Sequence, residues 1–175
     1  MGDLKVNEIK TDTIKNQSGT TVMTVDSTGR LLRPSSTLVA FDTTTVSGGN
    51  ISSGTVPFNT AALNLGNHFN TSTYKFTAPV DGVYEFHARC LCGDAVNNDA
   101  CSGSIDMMLD GSTKVTTGHF NTTDAWENIA LFKIISMTAN QTMEIQVSGT
   151  GNGGYIYANG SGVNDYNRFI GKLLG

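Results

Sequence analysis

The clearest hydrophobic pattern in the chain is a strict alternation over residues 82–92. Aromatic, small and thiol side chains take every second position, and polar or charged side chains take most of the positions between them. A period of two is typical of a β-strand that has one face in a core. We therefore predict a strand here, in which burial of Tyr84 and Phe86 contributes about 1.5–3 kcal/mol each. The predicted core-facing residues are Tyr84, Phe86, Ala88, Cys90 and Cys92.

Two later segments, residues 128–136 and 168–174, are apolar on both faces of the strand that each would form. A strand of this kind has to be covered on both faces. In a two-sheet sandwich one face meets the core, so the other face needs a partner, which a three-fold assembly of identical chains would supply. We therefore predict a homotrimer. The residues assigned to its interface are Ile129, Ala130, Phe132, Ile134, Ile170 and Leu174.

The rest of the chain also predicts strands and tight turns. Met143, Ile145 and Val147 alternate with polar residues, which indicates a strand with one face in water. Asp110 and Gly111 form a strong hairpin-turn signal. The chain contains 20 glycines among its 175 residues, and no stretch shows helical periodicity. These features together predict an all-β fold.

A set of spaced residues connects this pattern with a known family. The residues are Phe58, Asn64, Phe69, Phe76, Gly82, Tyr84 and Phe86. Through them, residues 36–175 resemble the globular head of the complement C1q family, and Phe169, Gly171, Leu173 and Leu174 resemble its closing strand. Ala88 departs from the family, which usually has an aromatic residue there. The resemblance implies a ten-stranded jelly roll of the tumour necrosis factor superfold, assembled as a homotrimer, and it does not imply the family's immune role.

Residues 1–34 form a distinct region that we call the foot, and we call residues 35–175 the knob. The foot has few apolar residues, and turn signals at residues 16–19 and 26–29 divide it into three predicted short strands. Such a segment cannot bury enough apolar surface alone to offset its ordering entropy. It is therefore either disordered or packed against copies of itself, and its regular turn spacing favours packing. Pro34 marks the boundary with the knob.

The foot also resembles a repeat found in bacteriophage tail-fibre and virion-surface proteins. The residues that carry this resemblance are 12–16, 19–21, Thr24, Asp26, Ser27, Gly29, Arg30 and Leu32. The resemblance implies a protein that is made in the host cytoplasm and then belongs to a virion surface. It also implies that residues 1–34 contact other virion proteins.

Charge and hydropathy argue against two classes of partner. The formal net charge is −4, the isoelectric point is about 5.2 and no basic stripe is present, so we expect no nucleic acid. No window approaches about 18 consecutive apolar residues, so we expect no membrane insertion. The first residues lack the apolar core of a signal peptide. We therefore expect Cys90, Cys92 and Cys101 to be reduced, with a disulfide between Cys92 and Cys101 as the alternative.

The sequence offers little evidence of catalytic or metal chemistry. No nucleophile, base and polarising group stand together, so we expect no enzyme. His87 shares a strand face with Glu85 and Arg89, and we hypothesise that these three side chains make polar contacts at a surface or at a subunit boundary. Asp94 and Asp99 are candidates for a calcium site at a loop tip, although no EF-hand pattern is present. No other cofactor is expected.

The candidates for ligand binding are aromatic residues in segments that read as polar loops. They are Phe120, Trp126, Tyr155 and Tyr157. Aromatic faces surrounded by polar residues suit contacts with a sugar or a protein, such as a host-surface glycan or receptor. The alternative is structural, with Trp126 packed beneath its own loop.

These observations predict a non-enzymatic trimeric protein of a bacteriophage virion surface. The first hypothesis is that the protein is the knob of a tail fibre or spike that mediates host attachment. The second hypothesis is that the protein is a capsid-decorating trimer, a cement or head-fibre protein bound to the shell through its foot. A hypothesis of another class is that the protein is a C1q-like binding module that has no association with a virion.

Overall fold

A computed structural model describes residues 13–32, 38–45, 49–94, 101–122, 126–151, 153–158 and 166–174, without the side chains of 31, 32, 94, 122 and 149–151. The chain divides into two compact units, residues 1–38 and residues 39–175. The described residues form strands and turns, and they include no helix. None of the described residues belongs to a helix that could cross a membrane.

The first unit contains a three-stranded antiparallel sheet in the order β1-β2-β3. Its strands are β1 (Thr13–Lys15), β2 (Thr21–Val25) and β3 (Leu31–Leu32). Both connecting turns are closed by a side chain: Asn16 Oδ1 accepts a 2.9 Å hydrogen bond from Thr20 N, and Asp26 Oδ1 accepts one of the same length from Arg30 N. Bonds from Thr28 and then Arg30 lower the pKa of Asp26 to about 2. The prediction of three short strands joined by two tight turns is confirmed.

The second unit is a sandwich of two six-stranded sheets. The first, called here the β10 sheet, has the order β11-β10-β13-β8-β7, with β5 beside β13. The second, called the β9 sheet, has the order β12-β9-β15-β4-β6, with β14 beside β9. The strands are β4 (Ala40–Thr44), β5 (Gly54–Thr55), β6 (Thr60–Leu65), β7 (Phe69–Asn70), β8 (Lys75–Thr77), β9 (Gly82–Asp94), β10 (Cys101–Leu109), β11 (Thr113–Thr122), β12 (Trp126–Met137), β13 (Thr142–Gly151), β14 (Gly154–Ile156) and β15 (Arg168–Leu173).

This arrangement confirms the predicted all-β jelly-roll sandwich. Non-consecutive strands are neighbours in both sheets, as in β12-β9-β15-β4, which is the crossover pattern of a jelly roll. The described part of the sandwich has twelve strands where the resemblance implied ten, and four of the twelve, β5, β7, β8 and β14, are only two or three residues long. The Asp110-Gly111 turn is also confirmed, with positive φ angles of 51° and 69° between β10 and β11.

The core lies between the two sheets and is dominated by aromatic rings. Every core-facing residue predicted on β9 is at most 3% exposed. The Phe41 ring lies at the centre, with ring centroids of Phe69, Phe76, Phe86 and Phe169 between 4.8 and 6.3 Å away. The resulting cluster links strands of both sheets.

Gly171 on β15 is required by this packing. A Cβ atom at this position would lie 2.7 Å from Phe41 Cζ and 2.7 Å from Phe86 Cδ1. Such distances are well inside van der Waals contact, so the two rings leave room for glycine alone.

The outward face of the β10 sheet differs from the prediction of a strand face in water. Glu144 and Asp106 are each only 1% exposed. Each carboxylate is paired with a lysine: Lys75 Nζ lies 2.6 Å from Glu144 Oε2, and Lys114 Nζ lies 2.9 Å from Asp106 Oδ2. Long lysine side chains can lie along a surface and cover it while their charged ends stay wet. The alternation was predicted correctly, but the solvent exposure of its polar half was wrong.

The three cysteines are free and buried. Burial raises the pKa of the Cys90 thiol to about 12, and it also raises that of Cys92. Because the thiolate is the reactive form, the raised pKa values of Cys90 and Cys92 favour the less reactive thiol form of these two side chains at neutral pH.

Candidate functional site

The outward face of the β9 sheet carries exposed apolar side chains that the rest of the subunit leaves uncovered. Phe132 and Ile134 on β12 are 53% and 48% exposed. Leu174, which follows β15, is 48% exposed, and Val83 on β9 is 36% exposed. We call these four residues the apolar row. A contiguous patch of this kind marks an interaction surface more often than a plain solvent face.

Five of the six residues assigned to a subunit interface lie on this outward side. Ala130, Phe132, Ile134 and Leu174 are exposed, and Ile170 is half-buried. Ile129 is a correction, because it is only 8% exposed and packs in the core. Its side chain lies over Gly118 of the facing sheet, where a Cβ atom would come within 2.6 Å of Ile129 Cγ2. Ile129 and Leu131 are two residues apart on β12, so both side chains lie on the face of the strand that meets the core.

Charged groups lie next to the apolar row. Glu85 Oε1 is 3.1 Å from His87 Nε2 and 3.0 Å from Lys172 Nζ. Hydrogen bonds from Lys172, followed by those from His87, lower the pKa of Glu85. The His87 ring also contacts the Phe132 ring, with centroids 4.7 Å apart. Of the three side chains predicted to act together, Glu85 and His87 are therefore in contact with each other.

A shallow recess of about 230 Å³ lies beside this contact. Arg89, the third member of the predicted group, lines the recess together with His87 and Arg168. Arg168 forms an ion pair with Asp42 on β4, in which its Nε donates a 2.7 Å hydrogen bond to Oδ1. The polar part of this face is thus already organised by ion pairs within one subunit.

A second recess, of about 430 Å³, lies at the end of β12 and is lined by Leu91, Trp126, Tyr157 and Tyr166. We call it the aromatic groove. The Trp126 and Tyr157 ring centroids are 5.2 Å apart at an interplanar angle of 84°, and those of Tyr157 and Tyr166 are 5.7 Å apart at 76°. Edge-to-face contacts of this kind are a favoured arrangement of aromatic rings. The walls of the groove therefore consist of aromatic rings that contact one another.

Two of the four aromatic residues predicted to bind a ligand lie in this groove. Trp126 is 43% exposed although it contacts Tyr155 and Tyr157. Tyr157 is half-buried and contacts Trp126 on one side and Tyr166 on the other.

Phe120 and Tyr155 are corrections. Phe120 is 1% exposed on β11, because the segment predicted as a polar loop continues the β10–β11 hairpin, where Phe120 pairs with Gly103. Tyr155 is 5% exposed on β14, which pairs with β9 opposite Gly93. Neither ring is available to a ligand. The abundance of Thr, Asn and Gly in both segments concealed their strand character.

Sequence reasoning did not assign Asn167, which organises the groove from below. Its side chain is fully buried: Oδ1 accepts a 2.8 Å hydrogen bond from Leu91 N, and Nδ2 donates to Tyr157 O at 2.6 Å and to Thr45 Oγ1 at 2.8 Å. Tyr166, which precedes it, was likewise not chosen as a site residue. No local signal separates this asparagine from the others in its Gly- and Asn-rich segment.

The predicted calcium site involves residues that lie outside the described part of the chain. Asp99 and the side chain of Asp94 are not among the described parts of the chain. Among those parts, no group of three or more His, Cys, Asp or Glu residues comes together. Calcium binding at Asp94 and Asp99 therefore stays a prediction.

Comparisons with known proteins identify the family of the knob. The family model of the C1q domain matches residues 38–171, so the resemblance of the foot to phage proteins lies outside the match and stays a prediction. The globular domain of zebrafish complement 1qA protein shares the fold with a TM-score of 0.60 and 15% identity, over 78% of this chain and 98% of that chain. No curated protein sequence matches the chain. The chain belongs to the C1q domain family, whose members are commonly non-enzymatic trimeric binding modules.

Proposed function

We propose that this protein is a homotrimeric, non-enzymatic binding protein of a bacteriophage virion surface. Its knob is the tip of a tail fibre or spike that contacts the host. The observation that carries the proposal is the apolar row, since Phe132 and Ile134 expose about half of their side chains next to each other on β12. Association of three subunits through this face removes that surface from water, which is favourable by about 25 cal/mol per Å².

The foot supports the virion part of the proposal. Its three-stranded sheet leaves Ile14 43% exposed and Val22 38% exposed. A sheet of this size with exposed apolar residues gains stability only from a partner. We infer that residues 1–34 contact other virion proteins or their own copies. In this account the protein is made in the host cytoplasm and resides on the virion surface.

Two alternatives use the same features differently. The small size of the foot also suits a capsid-decorating trimer, a cement or head-fibre protein whose foot holds the shell while the knob projects. A C1q-like binding module without a virion would use the knob alone, and the foot would have no attachment role.

The test of assembly is the mass of the full chain in solution. Light scattering at micromolar concentration should give three times the subunit mass of 18.5 kDa. A folded single subunit under these conditions would contradict the trimer.

The test of attachment compares the full chain with a variant that lacks residues 1–34. Only the full chain should sediment with virus particles. Equal sedimentation of both proteins would contradict an attachment role of the foot, and a map of the intact particle would distinguish a tail from a capsid position. Binding of the purified knob to host cells tests the adhesion role separately.

A further inference from the structure

A buried side chain cross-links the chain segments beneath the aromatic groove. Asn167 joins three segments that are distant in sequence, through bonds to Leu91 N, Tyr157 O and Thr45 Oγ1 of 2.8, 2.6 and 2.8 Å. Its amide is 0% exposed and both of its polar atoms are bonded. Loss of such bonds in a buried position is costly, so the backbone beneath the groove is fixed before any ligand arrives.

The walls of the groove present ring surface to solvent. Trp126 is 43% exposed and Tyr166 is 37% exposed, and both rings stand at steep angles to the half-buried Tyr157 between them. The volume of about 430 Å³ is that of a small-ligand site. Because the rings already contact one another, binding of a small ring should cost less side-chain freedom than binding to isolated side chains would.

The chemistry of the lining selects a neutral ligand. Within the described residues, no charged side chain lines the groove, and its polar side-chain groups are two tyrosine hydroxyls and the indole N–H. Among the described lining residues, a charged ligand that loses water would find no compensating charge. A neutral ligand with an apolar face and a polar edge fits both the rings and these donors.

We propose that the aromatic groove binds a neutral pyranose ring, a hexose or N-acetylhexosamine unit of a glycan. The C–H groups on one face of the sugar carry partial positive charge and meet the negative face of an aromatic ring. The sugar hydroxyls meet the tyrosine hydroxyls and the indole N–H at the rim. This inference rests on the binding role proposed for the knob and names the class of its ligand.

Tryptophan fluorescence tests the proposal directly, because Trp126 is the only tryptophan of the chain. The probes are methyl glycosides of glucose, galactose, mannose, N-acetylglucosamine and N-acetylgalactosamine, with methyl glucuronide and N-acetylneuraminic acid as acidic comparators. At least one neutral glycoside should change the emission saturably, with a midpoint on the order of 1 mM. The acidic sugars should bind at least about tenfold more weakly, since the described residues that line the groove offer them no cation.

Variants test whether the emission change arises from sugar binding in the aromatic groove. Tyr166→Ala removes one exposed wall and keeps Trp126, so the midpoint should rise at least about tenfold. Leu63→Ala is the matched control, because Leu63 is 41% exposed on β6 of the same sheet and does not line the groove. Its titration should equal that of the unmodified protein. Circular dichroism checks that Tyr166→Ala folds, and Tyr166→Phe provides a second variant that keeps the ring.

Three results would overturn the proposal. The first is that no neutral glycoside causes a saturable change in emission up to about 100 mM. The second is that folded Tyr166→Ala has the same titration midpoint as the unmodified protein. The third is that the Trp126 emission is shielded from solvent until dilution separates the subunits. The last result would show that a second copy fills the groove. Light scattering on the same samples reports assembly independently, so a trimer that binds no sugar and a monomer that binds one are distinguishable.

Discussion

The outward faces of the two sheets show the same strand alternation, but they differ in how their side chains are covered. On the β10 sheet, the carboxylates of Asp106 and Glu144 are paired with Lys114 and Lys75, so the charged residues complete the surface within one subunit. On the β9 sheet, ion pairs occupy only part of the face and the apolar row remains uncovered. A face whose charged side chains are paired within the subunit needs no partner. An exposed apolar face gains stability when a partner covers it. The comparison therefore supports the proposal that self-association uses the β9 sheet.

The largest expected effect comes from a charge in the apolar row. Phe132→Asp or Ile134→Asp should abolish the trimer, because assembly would bury an unpaired carboxylate. Light scattering at micromolar concentration should show a folded single subunit. Leu63→Asp is the control, since Leu63 is also exposed on the β9 sheet but at its other edge, on β6. A stable trimer of either row variant would contradict the assignment.

The next effect separates folding from assembly on the same strand. Gly171→Val places side-chain atoms where the Phe41 and Phe86 rings stand, so the free energy of unfolding should fall by about 3 kcal/mol or more. Urea denaturation measures the loss. Ile170→Ala, on the outward side of β15, should cost less stability, because Ile170 is only half-buried. Equal losses in the two variants would mean that the rings can move aside.

A smaller effect is expected from breaking an ion pair of the β10 sheet. Lys75→Met leaves Glu144 buried without its cation, which should lower the free energy of unfolding by about 1–3 kcal/mol, reduced by the partial exposure of Lys75. The double variant Lys75→Met/Glu144→Met should recover most of the loss, because it leaves no unpaired charge at the buried position 144. Trimer mass should stay unchanged in both variants. Loss of the trimer would contradict the division of roles between the two faces.

The smallest effect concerns the dependence of stability on pH. Burial acts to raise the pKa of Asp106, but bonds from Ser148 and Lys114 outweigh it, so the net pKa lies below the ordinary value of 3.8. A lowered folded pKa adds stability above the unfolded value, and this stability is lost as pH falls through the folded pKa. Asp106→Asn should therefore reduce the loss of stability below about pH 4, measured as the urea midpoint against pH.

Glu85→Gln provides the matched variant on the other face. Its pKa is also lowered, by bonds from Lys172 and His87, but its surroundings are more open to solvent. Solvent screening weakens such pairs, so the change in the pH profile should be smaller than for Asp106→Asn. A larger change for Glu85→Gln would reverse the comparison between the two faces.

The alternation on β9, the hairpin turn at Asp110 and Gly111 and the two turns of the foot were all predictable, because each is a local pattern with one geometric solution. The outward direction of Phe132 and Ile134 followed from the same parity.

Tertiary structure decided what covers each side chain. Phe120 and Tyr155 were predicted in loops and are buried, since strands from elsewhere in the chain pair with their segments. The aromatic groove joins Leu91 to Asn167, which are 76 positions apart, and no local pattern records that contact. Periodicity determines the side of a strand on which a residue lies. Burial, pairing and pocket formation depend on distant segments that only the folded chain brings together.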